Sequence, residues 1–156
     1  MRKPVVFITG AGGEIGHGLI DRLAASGRPI VTLDLAPLDA SLAGRVQREF
    51  LGTILDSGIL ERILAEFEVD LIFHLAALLS TRSEFTPVRA HQVNVEGTLT
   101  LLEFAQKEAE SHGRVVRFLY PSSIAAYGLP DLGTKASAGR VQEDEYNHPT
   151  TMYGAN

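Results

Sequence analysis

Apolar positions along the chain alternate between two periods. Residues 4–9 (PVVFIT) form a short β-branched and aromatic run that ends in glycine, which predicts a strand buried on both faces. Residues 14–26 then carry Ile15, Leu19, Ile20 and Leu23 at helical spacing, with Gly27 placed to stop the helix. A second strand is predicted over residues 30–35 (IVTLDL). A loop with a short helix follows over 37–48, and a short third strand over 49–51. Asp56 or Ser57 can cap a helix running to about Phe67, with Ile59, Leu60, Ile63, Leu64 and Phe67 as its apolar stripe. Residues 71–75 read as a fourth strand. Pro87 suits the first turn of a long helix that reaches about Ser111 and stops at Gly113, and residues 115–120 read as a fifth strand. Residues 128–148 are polar, with glycine, proline and charges, and predict a long surface loop.

Strands alternating with helices, and strands apolar along their whole length, predict an α/β fold built on a doubly wound parallel sheet. No repeat and no domain boundary interrupts residues 1–156, so one domain is expected. Composition mainly removes alternatives. With 45% hydrophobic and 21% charged residues the chain can bury a core and is not a disordered segment. A net charge of -5 has the wrong sign for a nucleic-acid footprint. The longest apolar run, residues 71–79, is broken by His74 and falls far short of the ~20 residues that span a bilayer. Arg2 and Lys3 ahead of an apolar run faintly imitate a signal peptide, but glycines follow at once, so a first strand and a cytoplasmic protein are expected. There is no cysteine, and His17, His91, His112 and His148 show no ligand spacing with acids; no metal site is expected.

The turn after the first strand carries the clearest chemistry. Gly10, Gly13 and Gly16 form G-x-x-G-x-x-G, opening a helix that includes Glu14 and Ile15. Glycines there allow a sharp turn, backbone approach to a phosphate, and tight helix–strand packing, while the helix N-terminus offers N–H groups to the anion. Asp34 stands 18 residues after Gly16, at the end of the second strand, next to Leu35. A carboxylate there accepts hydrogen bonds from ribose hydroxyls and repels a 2′-phosphate, so NAD is expected in preference to NADP. A plain glycine-rich turn with a surface aspartate is the competing reading. The strand before the turn and the helix after it favour the dinucleotide.

These residues, with four further segments in order, resemble the extended short-chain dehydrogenase/reductase family, the NAD-dependent epimerases and dehydratases. His74-Leu75-Ala76-Ala77 looks like its strand-four motif, and Asn94-Val95-Glu96-Gly97-Thr98 like its N-V-x-G-T motif. Residues 121–128 (PSSIAAYG) look like its catalytic-serine segment, and residues 153–156 (YGAN) like the opening of Y-x-x-x-K. The resemblance implies a Rossmann-type NAD-binding domain. It makes Ser123 the catalytic hydroxyl and Tyr153 the general base or acid. Pro121 and Ser122 would line the nicotinamide side, Leu75, Ala76 and Ala77 would pass the cofactor ribose and pyrophosphate, and Asn94 would support the site from the long helix. Ser80, with Ser123, is a candidate on the substrate side. Two departures stand out. The family's lysine falls four residues after Tyr153, one position past Asn156, so the domain is expected to be incomplete at its C-terminal side and part of a chain about twice as long, with a substrate domain. Where the family has Gly-Asp-Ile, this chain has Gly52, Thr53 and Ile54, with Asp56 displaced toward the helix cap.

A phenol ordinarily loses its proton near pH 10, too high for a base at neutral pH, and a neighbouring lysine and the positive nicotinamide ring would favour the phenolate. The expected reaction is hydride transfer from a substrate alcohol, such as a nucleotide sugar, with Tyr153 and Ser123 on the reacting oxygen. An L-threonine 3-dehydrogenase-like or sugar-acid dehydrogenase is the alternative; residues 76–80 (AALLS) and 149–153 (PTTMY) look close to the former. A non-catalytic NAD(H)-binding module is the reading from another class. His74 is expected to be a strand-end residue satisfied by hydrogen bonds, Tyr127 structural, and Glu143, Asp144 and Glu145 a solvated loop face. The long helix resembles the family's homodimer helix.

Overall fold

The computed structural model describes residues 4–156; Arg2 and Lys3, weighed above as part of a leader-like start, lie outside the described residues. Five parallel strands lie in the order β3-β2-β1-β4-β5. They are β1 (Val5–Thr9), β2 (Ile30–Asp34), β3 (Arg48–Leu51), β4 (Val69–His74) and β5 (Arg117–Leu119). Thr9 pairs with Leu33 of β2 on one side and His74 of β4 on the other. Chain order therefore reverses on either side of β1, and at such a switch point a crevice opens beyond the C-terminal strand ends.

All five residues of β1 are buried, because each face of the sheet is covered. Val6 and Ile8 pack with Ile20, Leu38 and Leu42 toward α1 (Glu14–Ala25) and the short α2 (Ala40–Ala43). Val5 and Phe7 point the other way, into a core with Leu60 and Ile63 of α3 (Ser57–Glu66) and Leu101 and Phe104 of α6 (Gly97–His112). The doubly wound sheet expected from the strand pattern is the observed one.

The caps explain most boundaries. Asp56, rather than Ser57, caps α3, its carboxylate accepting from the amides of Gly58 and Ile59 at 2.9 and 3.3 Å. Gly27 and Gly113 adopt φ of 72° and 61° just past α1 and α6, where a side chain would be strained. The helix expected from Pro87 is one rod with an irregular middle: α5 (Pro87–His91), a π turn (Gln92–Glu96) and α6. A short helix, α4 (Ser80–Phe85), precedes it, and α7 (Leu132–Ser137) sits inside the stretch read as loop. Glu108 is buried on α6 and accepts the amide of Val69 at 2.6 Å, with His112 3.2 Å away, which ties the start of β4 to that helix. Burial pushes its carboxyl above the usual range.

Candidate functional site: the crevice at the strand ends

The glycine turn is built by close approaches that only glycine allows. Gly10 has φ 67°, and a Cβ on it would come within 2.6 Å of the Ala76 amide nitrogen. A Cβ on Gly16 would lie 2.3 Å from the carbonyl oxygen of Ala11. Gly13 differs: a Cβ there meets only the Gly10 oxygen at 3.5 Å, so its bareness clears the crevice rather than the fold. No side chain caps α1 at Gly13, which leaves first-turn amides, including those of Glu14 and Ile15, for an anion. Asp34 closes the turn. Its Oδ2 accepts from the Gly12 amide at 2.8 Å, and its Oδ1 from the amides of Leu35 and Ala36 at 2.7 and 3.3 Å. Ile15, Leu35 and Leu79 stand 67%, 78% and 65% exposed beyond the C-terminal ends of the strands they follow.

The loop after β4 is held from below. Asn94, buried in the π turn, accepts the Leu78 amide at 2.8 Å and donates to the Leu78 carbonyl at 3.0 Å. Its amide is thus engaged in carrying the loop that contains Leu75, Ala76 and Ala77. A Cβ on Gly97 would reach within 2.5 Å of Ile54, which is buried in the core. Thr53 folds back on the Leu55 amide at 3.2 Å.

Across the crevice, Pro121 and Ser122 are exposed beyond β5, and Ser123 caps a 3-10 turn (Ile124–Ala126) by accepting the Ala125 amide at 3.2 Å. Tyr153 lies in the short α8 (Met152–Ala155), capped by the Thr151 hydroxyl. A Cβ on Gly154 would come within 2.0 Å of the Ala125 oxygen, so the turn carrying Tyr153 rests directly on the turn that Ser123 caps. The fold thereby joins two segments separated by 30 residues. Glu84 of α4 fastens the arrangement: its carboxylate accepts from the amides of Met152 and Tyr153 at 2.7 and 3.4 Å. Sequence reasoning missed Glu84, since an exposed acid on a short helix carries no signal of a distant cap. Ser80 is exposed at the first turn of that same helix.

His74 is fully buried and satisfied on both ring nitrogens, as expected of a strand-end histidine: Nδ1 lies 2.7 Å from the Thr9 hydroxyl and Nε2 3.0 Å from that of Thr98. Burial pushes it down to about 4, so it is neutral at neutral pH. Tyr120 stacks on its ring at 5.3 Å. Burial, and then the neighbouring Tyr153, push the Tyr120 phenol up. Among the described residues, no group of three histidine, cysteine or acidic residues is gathered for a metal, and no helix is long and apolar enough to cross a membrane.

A switch-point crevice, a glycine turn opening a helix and a carboxylate at the end of β2 define a dinucleotide-binding domain. The chain belongs to the NAD dependent epimerase/dehydratase family, whose model matches residues 6–156. It is similar to the UDP-glucose 4-epimerase of Yersinia enterocolitica, 30% identical over 146 residues, covering 87% of this chain and 42% of that one. Among solved structures it is similar to a UDP-glucose 4-epimerase of Thermotoga maritima with UDP-glucose (28% identity, TM-score 0.77, 96% of this chain and 46% of that one). It is equally similar to an L-threonine dehydrogenase of Clostridium difficile (26% identity, TM-score 0.78, 99% and 46%). The chain spans less than half the length of these relatives. NAD is the cofactor of the family, and the cleared surface at Gly13, the uncapped amides of α1 and the carboxylate of Asp34 fit it.

Proposed function

We propose that the protein is an NAD-dependent oxidoreductase of the epimerase/dehydratase type, acting on a hydroxyl of a nucleotide sugar or related small molecule. The observation that carries this is the docking of the Tyr153 turn onto the Ser123 turn, at the crevice that holds the glycine turn. Amides of the first turn of α1 would hold the pyrophosphate, and Asp34 the adenosine ribose. Leu75, Ala76 and Ala77, supported by Asn94, would form the floor. Pro121 and Ser122 would face the nicotinamide. When bound, NAD supplies the hydride acceptor. Tyr153 takes the proton of the substrate hydroxyl, and the Ser123 hydroxyl donates a hydrogen bond to the same oxygen as it becomes a carbonyl.

Tyr153→Phe tests the assignment. Turnover should fall more than about a hundredfold while NAD⁺ affinity stays within about twofold, since the phenol serves proton transfer and not binding. Unchanged turnover would remove Tyr153 from the chemistry. A second reading, L-threonine oxidation, is supported by the likeness to the Clostridium difficile enzyme over 99% of this chain, and would place Ser80 near the substrate. The two differ in a simple assay. NADH should accumulate steadily with L-threonine, whereas epimerisation of UDP-glucose regenerates NAD⁺ and leaves none.

Homodimerisation, as well as a cytoplasmic setting, belongs to the same proposal. Val88, Leu99 and Leu102 are 73%, 56% and 44% exposed along the α5–α6 rod, an apolar stripe suited to the equivalent rod of a second copy.

A further inference from the structure

Beside the β4 and β5 half of the crevice, β4 and the α5–α6 rod meet on one hydroxyl. Thr98 donates to the Asn94 carbonyl at 2.6 Å, which uses its only proton. Its oxygen can then only accept. It lies 3.0 Å from His74 Nε2. His74 must therefore donate, so its proton is on Nε2. Nδ1 is bare and accepts the Thr9 hydroxyl at 2.7 Å, and the Thr9 oxygen accepts the Ala76 amide at 3.4 Å. Every donor finds an acceptor in one consistent direction, with the Tyr120 ring stacked on the imidazole at 28° between planes.

The members of this network adjoin the functional segments. Thr9 precedes Gly10, Ala76 lies in the loop after β4, Asn94 grips Leu78, and Tyr120 precedes Pro121, Ser122 and Ser123. Asp34 places the adenosine half of the cofactor over β2, so the other half extends over β4 and β5. We propose that Thr98 is a positioning residue for the nicotinamide half: its hydroxyl, through His74 and the Tyr120 ring stacked on it, fixes the strand ends on which that half lies, while the glycine turn and Asp34 hold the adenosine half independently. The inference rests on the cofactor reading and goes beyond it by dividing the site into two separately held halves.

Calorimetric titrations with NAD⁺ and with ADP, a probe of the adenine and pyrophosphate half alone, test it on the purified protein. Thr98→Val keeps the shape and removes the hydroxyl; Thr98→Ser restores it. Thr98→Val should weaken NAD⁺ about tenfold, the worth of a lost hydrogen bond or two, and change ADP less than about twofold. Thr98→Ser should stay within about twofold of the parent for both ligands. Tyr120→Leu, at a partly exposed site, removes the ring stacked on His74, should shift the NAD⁺-to-ADP ratio in the same direction and keeps the test open if Thr98→Val fails to fold. Equal weakening of both ligands, or an unchanged NAD⁺ affinity, overturns the proposal. A parent protein that binds neither ligand would instead defeat the cofactor reading, a separate result.

Discussion

His74 shows how much one side chain at a strand end can decide. Both of its nitrogens are engaged by threonine hydroxyls, and burial holds it neutral, pushed down to about 4 from its ordinary 6.5. The unfolded chain therefore binds a proton that the folded chain refuses between these two values. Stability is full above pH 6.5 and falls as pH drops toward 4, by on the order of 3 kcal/mol if the whole shift is expressed. Glu108 has the opposite sign: its raised pKa means that the folded state gains from protonation as pH falls. Urea unfolding across this range, with an NMR titration of the imidazole, separates the two. The His74 resonance should have its midpoint near 4; a midpoint at the ordinary value would refute the buried neutral assignment. Asp34 is the contrasting case. Its three backbone amides hold the carboxylate in place at the rim, so it can act on a ligand without first paying to be ordered.

At the level of elements, the rod from Pro87 to His112 matters most to the site, and its π turn places Asn94 against the Leu78 backbone. Asn94→Ala would leave the half-buried Leu78 amide without its partner and the Leu78 carbonyl with the Ser83 hydroxyl alone, and should cost about 1.5 kcal/mol in urea unfolding. A change below about 0.5 kcal/mol would mean that the loop is carried by something else. The rod also shows where sequence patterns stop being informative. Its ends were legible, because Pro87 and Gly113 act through their own backbone preferences. The single extra residue of the π turn leaves no mark on apolar spacing, so it was not. Likewise β5 is shorter than its apolar run, Arg117–Leu119 against residues 115–120, because pairing with β4 and not hydrophobicity sets where a strand ends. β4 begins earlier, at Val69, because the Glu108 carboxylate from a distant helix holds its amide. The glycine turn and Asp34 could be singled out from local spacing, and Ser123 and Tyr153 from the family resemblance. Glu84 and Thr98 could not, since their partners lie far off in sequence or depend on which group donates.

Taken whole, the molecule is a parallel sheet whose chemistry gathers at one end and whose apolar stripe runs along the α5–α6 rod. A stripe of this kind predicts association. Leu99→Glu with Leu102→Glu should convert a dimer to a monomer in sedimentation velocity while leaving the far-UV spectrum unchanged, because both residues are exposed in the single chain. A parent that sediments as a monomer at all concentrations would contradict the proposed dimer. The account as a whole depends on the strand-end crevice taking an unphosphorylated dinucleotide between the glycine turn and Asp34. Titration of the purified protein with NAD⁺ and NADP⁺, alongside its Asp34→Ala variant, addresses this most directly. Saturable NAD⁺ binding at least about tenfold tighter than NADP⁺ is expected, with most of that preference lost in the variant. No binding of either dinucleotide up to millimolar concentration, or a preference that survives Asp34→Ala intact, would contradict it.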